Sequence, residues 1–501
     1  MCPIDSTMST AEWPRTARLP RGSACLAPAV ALSLTLGCSD GDSTAPAAAP
    51  PMPARHGITT FEDIDPDPNV VEVHLTASHE HEWQLGDGTS VHGLSYNGVN
   101  PGPLLEAKLG DRIVVHFQND LRWPTTLHWH GLRVPAAMDG SMLVQDAIPP
   151  GGTFDYEFEA RDVGLYWYHP HMHEAAQIDL GLYGPILIHG PGEPHASLSL
   201  DQPLIIDDML LGDDGQIVGL DPHADEAHDT NPDAEGDDRL GNVVLANGTK
   251  NPTIPVTRGG WALFRLLNTS DARHLMVALE GHSMWVVGLD GGFLPEPYQA
   301  ESILMGVGER YLVLVELTGD KGASYAWINT RYAQEDPFAT DPLVEDSGPV
   351  ATLVYGEDEV ASAARPTFPS DDAPDMGMGG DVAHTWELGD VFIDGDFYNS
   401  IDGQVWPNIP VLTYPANGDY TFVIETSDDP HPFHLHGNSF QVVAIDDQPV
   451  DLRAWKDTVT VEPESRIRIR TRLDNPGRWM YHCHILNHQE EGMMAELVVV
   501  E

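Results

Sequence analysis

The feature that most constrains the fold of this chain is a pattern of short runs, alternately apolar and polar, that occurs in three segments. The run KLGDRIVVHFQND at 108–120 is an example, and Gly- and Pro-rich turns separate it from its neighbours. Comparable runs lie at 149–169, 259–270, 307–319, 418–428 and 463–482. A period of two residues is typical of strands with one buried face. The sequence therefore predicts an all-β fold of three consecutive β-sandwich domains.

The length of 501 residues agrees with several domains, since one domain usually has about 100–200 residues. Changes in composition place the three domains at 56–192, 193–360 and 384–501. Between the last two, residues 361–383 are rich in Ala, Pro, Gly and Asp and are predicted to form a linker.

The first 55 residues have the pattern of an export leader followed by a tether. Arginines precede an apolar run at 25–37, and Gly37-Cys38 resembles the cleavage site of a bacterial lipoprotein, although Thr35 stands where such sites prefer Leu. We expect an exported protein, periplasmic or anchored through a lipid on Cys38, or secreted after simple cleavage.

The charge balance excludes nucleic acid as a partner. The chain has 77 acidic and 25 basic residues, a formal net charge of -52, whereas phosphate binding needs Lys and Arg patches. So negative a surface attracts cations and keeps an exported protein soluble.

Once the leader is set aside, the folded body contains a single cysteine, Cys483, in the stretch WMYHCHILNHQEEGMM at 479–494. No disulfide can then form within the body. In an exported protein a lone thiol is open to oxidation unless something occupies it, and a metal ion would do so.

The sequence contains four histidine clusters, at 128–130, 169–173, 431–436 and 482–488, and the last of them includes Cys483. Side chains two residues apart share one face of a strand, and the residue between them points to the other face. His482 and His484 therefore face away from Cys483, and His431 faces away from His434 and His436. Cys483, His431, His488 and Met493 form one group, whose two imidazoles, thiolate and distant thioether are typical of a blue-copper site; zinc is the rival metal.

The second group comprises eight histidines, enough to hold three coppers where the first and third domains meet. They are His128, His130, His169, His171, His434, His436, His482 and His484. Because Cys483 lies between His482 and His484, an electron that reaches the first copper has a covalent route to the cluster.

Together, HWHG, HPHMH, HPFHLHG and HCHILNHQEEGMM resemble the four copper-binding motifs of multicopper oxidases, the family of laccases, ascorbate oxidases, bilirubin oxidases and cuprous oxidases. The resemblance covers about residues 56–501. It implies three cupredoxin-like, Greek-key domains and four copper ions, with one-electron oxidation of a small reducing substrate and four-electron reduction of O2 to water.

The resemblance also implies a ligand set for each copper. The type 1 copper takes His431, Cys483 and His488, with Met493 axial. The type 2 copper takes His128 and His434. The type 3 pair takes His130, His169 and His484 on one ion, and His171, His436 and His482 on the other.

Acidic residues near the cluster are expected to orient imidazoles and deliver protons. Asp139 matches the acidic residue that the family places there. Bacterial relatives often carry Glu directly after the type 1 His, but this chain has Gln489, which cannot ionise, followed by Glu490 as a possible substitute.

Several other histidines are not predicted to be ligands. His173 is expected in a second layer around the cluster or at the surface. His79 and His81 are predicted in an exposed acidic loop, as are His223 and His228, in the acidic stretch at 221–238.

Among functions, laccase-like oxidation of phenols and aromatic amines is the first hypothesis. The axial Met493 indicates a lower potential than Leu or Phe would give. A cuprous or ferrous oxidase is the alternative, with Met376 and Met378 in the linker as the only trace of a methionine-rich insert. A third hypothesis, from another class, is a non-catalytic copper-binding or scaffold protein.

Overall fold

The structure, a computed structural model, describes residues 53–224, 238–330, 348–370, 373–426, 429–450 and 452–501. The predicted leader and Cys38 lie outside the described residues, apart from the last few positions of the tether. Across the described ranges, neither α-helix is long and apolar enough to cross a membrane.

The first domain packs two four-stranded sheets, ordered β2-β1-β4-β6 and β3-β8-β7-β5, against each other. The strands are β1 Val70–Gln84, β2 Ser90–Tyr96, β3 Leu105–Lys108, β4 Arg112–Asp120, β5 His128–His130, β6 Thr153–Glu159, β7 Gly164–His169 and β8 Gly184–His189. Helix α1 spans Glu174–Asp179, and short 3-10 turns lie at Ala136–Met138 and His195–Ser197. In β4, Ile113, Val115 and Phe117 are buried, as the alternation predicts.

The second domain has a six-stranded sheet, β10-β9-β12-β17-β14-β15, and a five-stranded sheet, β11-β19-β18-β13-β16. The strands are β9 Leu200–Met209, β10 Val243–Ala246, β11 Thr253–Arg258, β12 Trp261–Asn268, β13 Leu275–Leu279, β14 Met284–Leu289, β15 Gly292–Ala300, β16 Ile303–Met305, β17 Arg310–Glu316, β18 Ser324–Thr330 and β19 Pro349–Glu359.

The third domain repeats this arrangement, with sheets β21-β20-β23-β28-β25-β26 and β22-β30-β29-β24-β27. The strands are β20 Val382–Ile393, β21 Asp396–Ile401, β22 Leu412–Pro415, β23 Asp419–Thr426, β24 His431–Leu435, β25 Phe440–Ile445, β26 Gln448–Pro449, β27 Thr458–Val461, β28 Arg466–Arg472, β29 Gly477–Cys483 and β30 Met494–Val500. Helix α2 spans Leu486–Glu490.

The three domains share one pairing scheme, which confirms the predicted all-β repeat. The first strand of each domain pairs in parallel with a later one, as β1 with β4, β9 with β12 and β20 with β23. In the opposite sheet, β5 pairs with β7, β13 with β18 and β24 with β29, all antiparallel. In the first and third domains these inner pairs carry histidines, whereas β13 and β18 carry none. The exact domain boundaries remain predictions.

Each domain has its own apolar core, and a fourth buried cluster joins the first two domains. Leu165 and Trp167 of β7 pack there with Leu263 of β12 and Leu312 of β17, and Leu486 of α2 joins the same cluster. Apolar packing therefore holds the strand that leads to His169 against the second domain.

Candidate metal centre

The first candidate site, here called the sulfur site, consists of His431, Cys483, His488 and Met493. His431 begins β24, Cys483 ends β29, His488 lies on α2, and Met493 directly precedes β30. The Cys483 Sγ lies 3.6 Å from His431 Nδ1 and 3.7 Å from His488 Nδ1, and the two Nδ1 atoms are 3.3 Å apart. The Met493 carbonyl accepts a 3.1 Å hydrogen bond from the Cys483 amide, which draws the thioether residue beside the sulfur.

The environment of Cys483 favours the thiolate that a metal needs. Burial alone would raise the pKa of its thiol, but the contacts with His431 and His488 lower the pKa to about 7. Two imidazoles, one thiolate and a thioether residue in a buried pocket fit copper.

The second candidate site, here called the eight-histidine cluster, forms where the inner strand pairs of the first and third domains face each other. His128 is opposite His169 in the β5–β7 pair, and His434 is opposite His482 in the β24–β29 pair. His130, His171, His436 and His484 complete the set, and all eight side chains are at least 99% buried.

Ring nitrogens converge inside the cluster in two places. The Nε2 atom of His436 is 3.2 Å from His171 Nε2 and 3.1 Å from His482 Nε2. His130 Nδ1 lies 3.1 Å from His484 Nε2. Several groups of three imidazoles, among them His171, His436 and His482, have ligand atoms within 4.8 Å of one another, close enough to hold one metal ion.

Backbone carbonyls fix the outer nitrogens of four of these rings. The Nδ1 atoms of His128, His169, His434 and His482 lie 2.7, 2.7, 3.0 and 2.7 Å from the carbonyls of Asp139, Pro170, Asp457 and Cys483, respectively. A proton on Nδ1 leaves a lone pair on Nε2, and the Nε2 atoms of His128, His169 and His434 are buried with no hydrogen-bond partner. Such orphaned acceptors are what a bound metal would satisfy.

Burial in the cluster lowers the pKa of six of the eight imidazoles, which favours the neutral form that ligation requires. Burial, followed by the repulsion of neighbouring rings, holds the pKa of His130, His169, His434 and His482 well below its usual value. Burial also lowers the pKa values of His436 and His484, to about 3.

Asp139 lies at the cluster, where the family resemblance places it. Its Oδ2 is 3.0 Å from His436 Nδ1 and its Oδ1 is 3.4 Å from His128 Nδ1. Burial would raise the pKa of this carboxyl, but His436 and His128 hold it well below its usual value. Asp139 is therefore an anion that orients one imidazole from each of two domains.

Glu174 is a second carboxylate at the cluster, and sequence reasoning missed it. Its Oε1 lies 2.8 Å from His171 Nδ1 and accepts a 2.7 Å hydrogen bond from Gln489 Nε2. Glu490, the predicted substitute for Gln489, is exposed, and its carboxylate accepts a hydrogen bond from the Ala175 amide. The signal for Glu174 was its place three residues after His171, at the start of α1.

The remaining histidines lie away from the cluster nitrogens. His173 is exposed and precedes α1 in a left-handed conformation. The prediction of a loop for His79 and His81 is wrong, because both lie in β1, where His79 Nδ1 contacts the carbonyl of Asp120 at 2.8 Å. His223 lies in a turn, its ring centroid 6.2 Å from that of His79, and His228 is outside the described residues.

The outward edge of the sulfur site meets an acidic residue of the second domain. Asp238 Oδ1 lies 3.1 Å from His488 Nε2, and the two side chains are 22% and 11% exposed. The next residue, Arg239, forms a 2.7 Å ion pair with Asp179 of α1, which anchors this part of the chain to the first domain.

The comparisons with known proteins define the class. Models of the multicopper oxidase family match residues 78–193, 210–358 and 378–501. Multicopper oxidase MmcO of Mycobacterium tuberculosis is 32% identical over 444 residues, covering 82% of this chain and 84% of that protein. Laccase-1 of Botryotinia fuckeliana is 29% identical, covering 83% and 80%.

A solved structure agrees with the fold. The multicopper oxidase from Campylobacter jejuni, described as a metallo-oxidase, superposes with a TM-score of 0.74 at 24% identity, over 90% of this chain and 96% of that one.

The chain belongs to the multicopper oxidase family. It is an oxidoreductase that uses O2, its three domains are cupredoxin-like β-sandwiches, and the family implies copper cofactors. The hypothesis of a non-catalytic scaffold protein is thereby set aside.

Proposed function

We propose that this protein is a laccase-like oxidase that takes single electrons from phenols and aromatic amines at the sulfur site and reduces O2 to water at the eight-histidine cluster. The type 1 copper would be held by His431, Cys483, His488 and Met493. The type 2 copper would be held by His128 and His434. The type 3 pair would be held by His130, His169 and His484 on one ion and by His171, His436 and His482 on the other.

The residues of the chain divide the work between the two sites. Cys483 of the sulfur site lies between His482 and His484 of the cluster, so consecutive residues of the chain join the two sites. Asp139 and Glu174 contact the outer nitrogens of imidazoles that would hold copper, and their position suits them to handle protons there. The coppers supply the redox chemistry.

The observation that carries the donor class is the carboxylate of Asp238 on the outward nitrogen of His488. An organic donor must approach this ring edge to pass its electron to the sulfur site. A carboxylate there accepts a hydrogen bond from a phenol hydroxyl or an aromatic amine, and charge-assisted hydrogen bonds of this kind are strong. The negative surface of the protein adds attraction for cationic amines.

A metal-ion oxidase is the second candidate, because a carboxylate also attracts Cu(I) or Fe(II). The methionines of the linker support it weakly. Met376 lines a cavity of about 570 Å³ between the linker and the first and third domains, and Met378 lines one of about 220 Å³ between the linker and the third domain. The described residues that line these cavities do not include Asp238 or any residue of the sulfur site.

Oxygen uptake by the copper-loaded protein, measured across phenols, aromatic amines, Fe(II) and Cu(I), tests the proposal. We expect kcat/KM to be highest for an aromatic amine or phenol, and Asp238→Asn to raise KM for amines more than it lowers kcat. A higher kcat/KM for Cu(I) or Fe(II) than for every organic donor would assign the protein to the metal oxidases instead.

We also propose that the chain is exported and carries a lipid on Cys38. The arginines and apolar run before that residue support export, and the lipoprotein-like Gly37-Cys38 pair supports the anchor. Mass spectrometry of the mature N-terminus distinguishes a lipidated Cys38 from simple cleavage, and an intact N-terminal Met1 would contradict both.

A further inference from the structure

The second domain, which has no predicted copper ligand, reaches the eight-histidine cluster with one short segment. This segment, residues 306–310, is here called the ledge. At Gly308 the backbone passes so close to the cluster that a Cβ atom would lie 3.1 Å from His130 Cε1 and 3.2 Å from His484 Cδ2. These two rings come from different domains, so the ledge packs against both sides of one predicted copper site.

Arg310, at the end of the ledge, binds all three domains at once. Its Nε donates to the carbonyl of Leu165 at 2.8 Å, on the strand that ends at His169. Its Nη1 donates to the Gly308 carbonyl of its own ledge at 3.0 Å. Both Nη atoms donate to the carboxylate of Asp457 in the third domain, each at 2.6 Å. The side chain is fully buried, so these bonds are shielded from water.

Asp457, which is held by Arg310, in turn contacts two imidazoles of the cluster. Its Oδ1 lies 3.1 Å from His130 Nε2, the ring nitrogen on the far side from His484. Its carbonyl lies 3.0 Å from His434 Nδ1. Thr458 Oγ1 donates to Asp457 Oδ1 at 2.9 Å and lies 2.9 Å from His130 Nε2. Asp457 therefore contacts His130 and His434, which are predicted ligands of two different coppers.

The ion pairs extend to Lys456, whose Nζ lies 3.1 Å from both Asp290 and Glu309. Three carboxylates, of Asp290, Glu309 and Asp457, surround two cations, Arg310 and Lys456, so the acidic groups outnumber the basic ones by one. All five side chains are nearly inaccessible to solvent. A buried network with one excess negative charge suits a neighbouring site that holds cations, and removing one member leaves another charge uncompensated.

We propose that the second domain is a positioning element of the O2-reducing site: the ledge and the Arg310–Asp457 pair fix the imidazoles of His130 and His484 on one copper of the type 3 pair. This inference rests on the copper assignment proposed above. It gives the domain without ligands a direct part in the geometry of the cluster. His130 contacts the ion-pair network through its Nε2 atom. A change in the network should therefore alter the copper site by moving the His130 ring.

The test compares two glycines with the same backbone strain. Gly308 has φ +82° and Gly322 has φ +73°, a region that alanine adopts at a cost, but a Cβ at Gly322 meets only Glu357 Oε1, at 3.5 Å. Gly308→Ala and Gly322→Ala should therefore carry a similar cost in backbone strain, while only the first also crowds the imidazoles. Both are measured as copper-loaded, full-length protein.

For Gly308→Ala we expect a weaker or shifted near-ultraviolet band of the bridged copper pair and a fall in O2 turnover of roughly 10- to 100-fold. The visible thiolate-to-copper band should stay unchanged, and Gly322→Ala should keep both bands. An unchanged near-ultraviolet band with turnover within about twofold of the parent protein would overturn the proposal.

If Gly308→Ala fails to fold, Asp457→Asn decides, because it keeps the side-chain shape and removes the charge that holds Arg310 and faces His130. A near-ultraviolet band lost while the visible band persists supports the positioning role, and an unchanged band overturns it. Failure of the copper assignment itself would be seen separately, because the parent protein would then lack one or both bands when loaded with copper.

Discussion

The two candidate sites are built in different ways. All four residues of the sulfur site lie in the third domain, between His431 and Met493, on two neighbouring strands, one short helix and the turn before β30. The eight-histidine cluster takes four rings from the first domain and four from the third, and contacts the second domain at Gly308. The geometry of the first site is thus local, whereas the second is a property of the interface between domains. Changes at contacts between the first and third domains should affect the cluster and spare the sulfur site.

The largest expected effect separates the two sites at the residue that joins them. Cys483→Ser removes the thiolate, so we expect the visible charge-transfer band and all measurable donor oxidation to be lost. The near-ultraviolet band of the cluster should remain, because His482 and His484 keep their positions on either side of residue 483. Absorption spectra and copper content per chain measure both sites together, and loss of both bands would show that they do not form independently.

A second effect compares two glutamates that lie close together, one buried and one exposed. Glu174→Gln weakens the contact with His171 Nδ1, and we expect a fall in O2 turnover of roughly 10- to 100-fold with an unchanged visible band. Glu490→Gln is the matched control and should keep turnover within about twofold. If steady-state oxygen uptake is lowered more by Glu490→Gln, the carboxylate predicted from the sequence is the important one after all.

A smaller effect concerns the contact between the first and third domains away from the metals. Arg133 binds Asp162 of the first domain and, at 2.8 Å, Asp474 of the third. Because these groups are partly exposed, Arg133→Met should cost about 1 kcal/mol of unfolding free energy. It should lower copper retention at the cluster before the sulfur site during chelator titration.

Arg472→Met is the control for this interface, since the exposed pair of Arg472 with Asp419 lies within the third domain. Its loss should leave copper retention at both sites unchanged. Equal losses of copper from both sites in Arg133→Met would contradict the distinction between a local site and an interface site.

The smallest expected effect concerns the stability of the first domain at His116, which belongs to neither candidate site. Hydrogen bonds to Glu72 and then Asp155 raise the pKa of His116 above its usual value, and the His74 ring lies beside it, 5.1 Å between centroids. The charged form is therefore favoured by folding. This stabilisation is fully present below about pH 6.5 and is lost as the pH rises through the raised pKa.

His116→Gln should lower the unfolding free energy at pH 5.5 by about 0.5 kcal/mol or less, because the group is partly exposed, and should have no effect at about pH 9. Urea unfolding at the two pH values checks this. A larger effect at the higher pH would reverse the assigned sign.

Much of the fold was predictable because its signal is local. The alternation in residues 108–120 matches the buried face of β4, and the three repeated segments match three domains with one pairing scheme. The parallel pairing of β1 with β4 was not predictable, since the partner and register of a parallel strand depend on a crossover and on distant packing.

The grouping of the candidate ligands was predictable for the same reason. Strand parity separates Cys483 from His482 and His484, and the structure places the sulfur and these rings on opposite sides. The residues that support the ligands were harder to find. Glu174 contacts Gln489 across 315 positions, and Asp457 contacts His130 across 327. A carboxylate at such a separation has no local pattern, and Gly308 carries no side chain at all.

The alternation around Cys483 has a mechanical consequence. The donor side and the oxygen side of the enzyme are attached to consecutive residues of one strand, so their separation is set by covalent bonds and does not vary when domains flex. Internal electron transfer should therefore proceed without conformational gating, at a rate that is insensitive to the viscosity of the solvent.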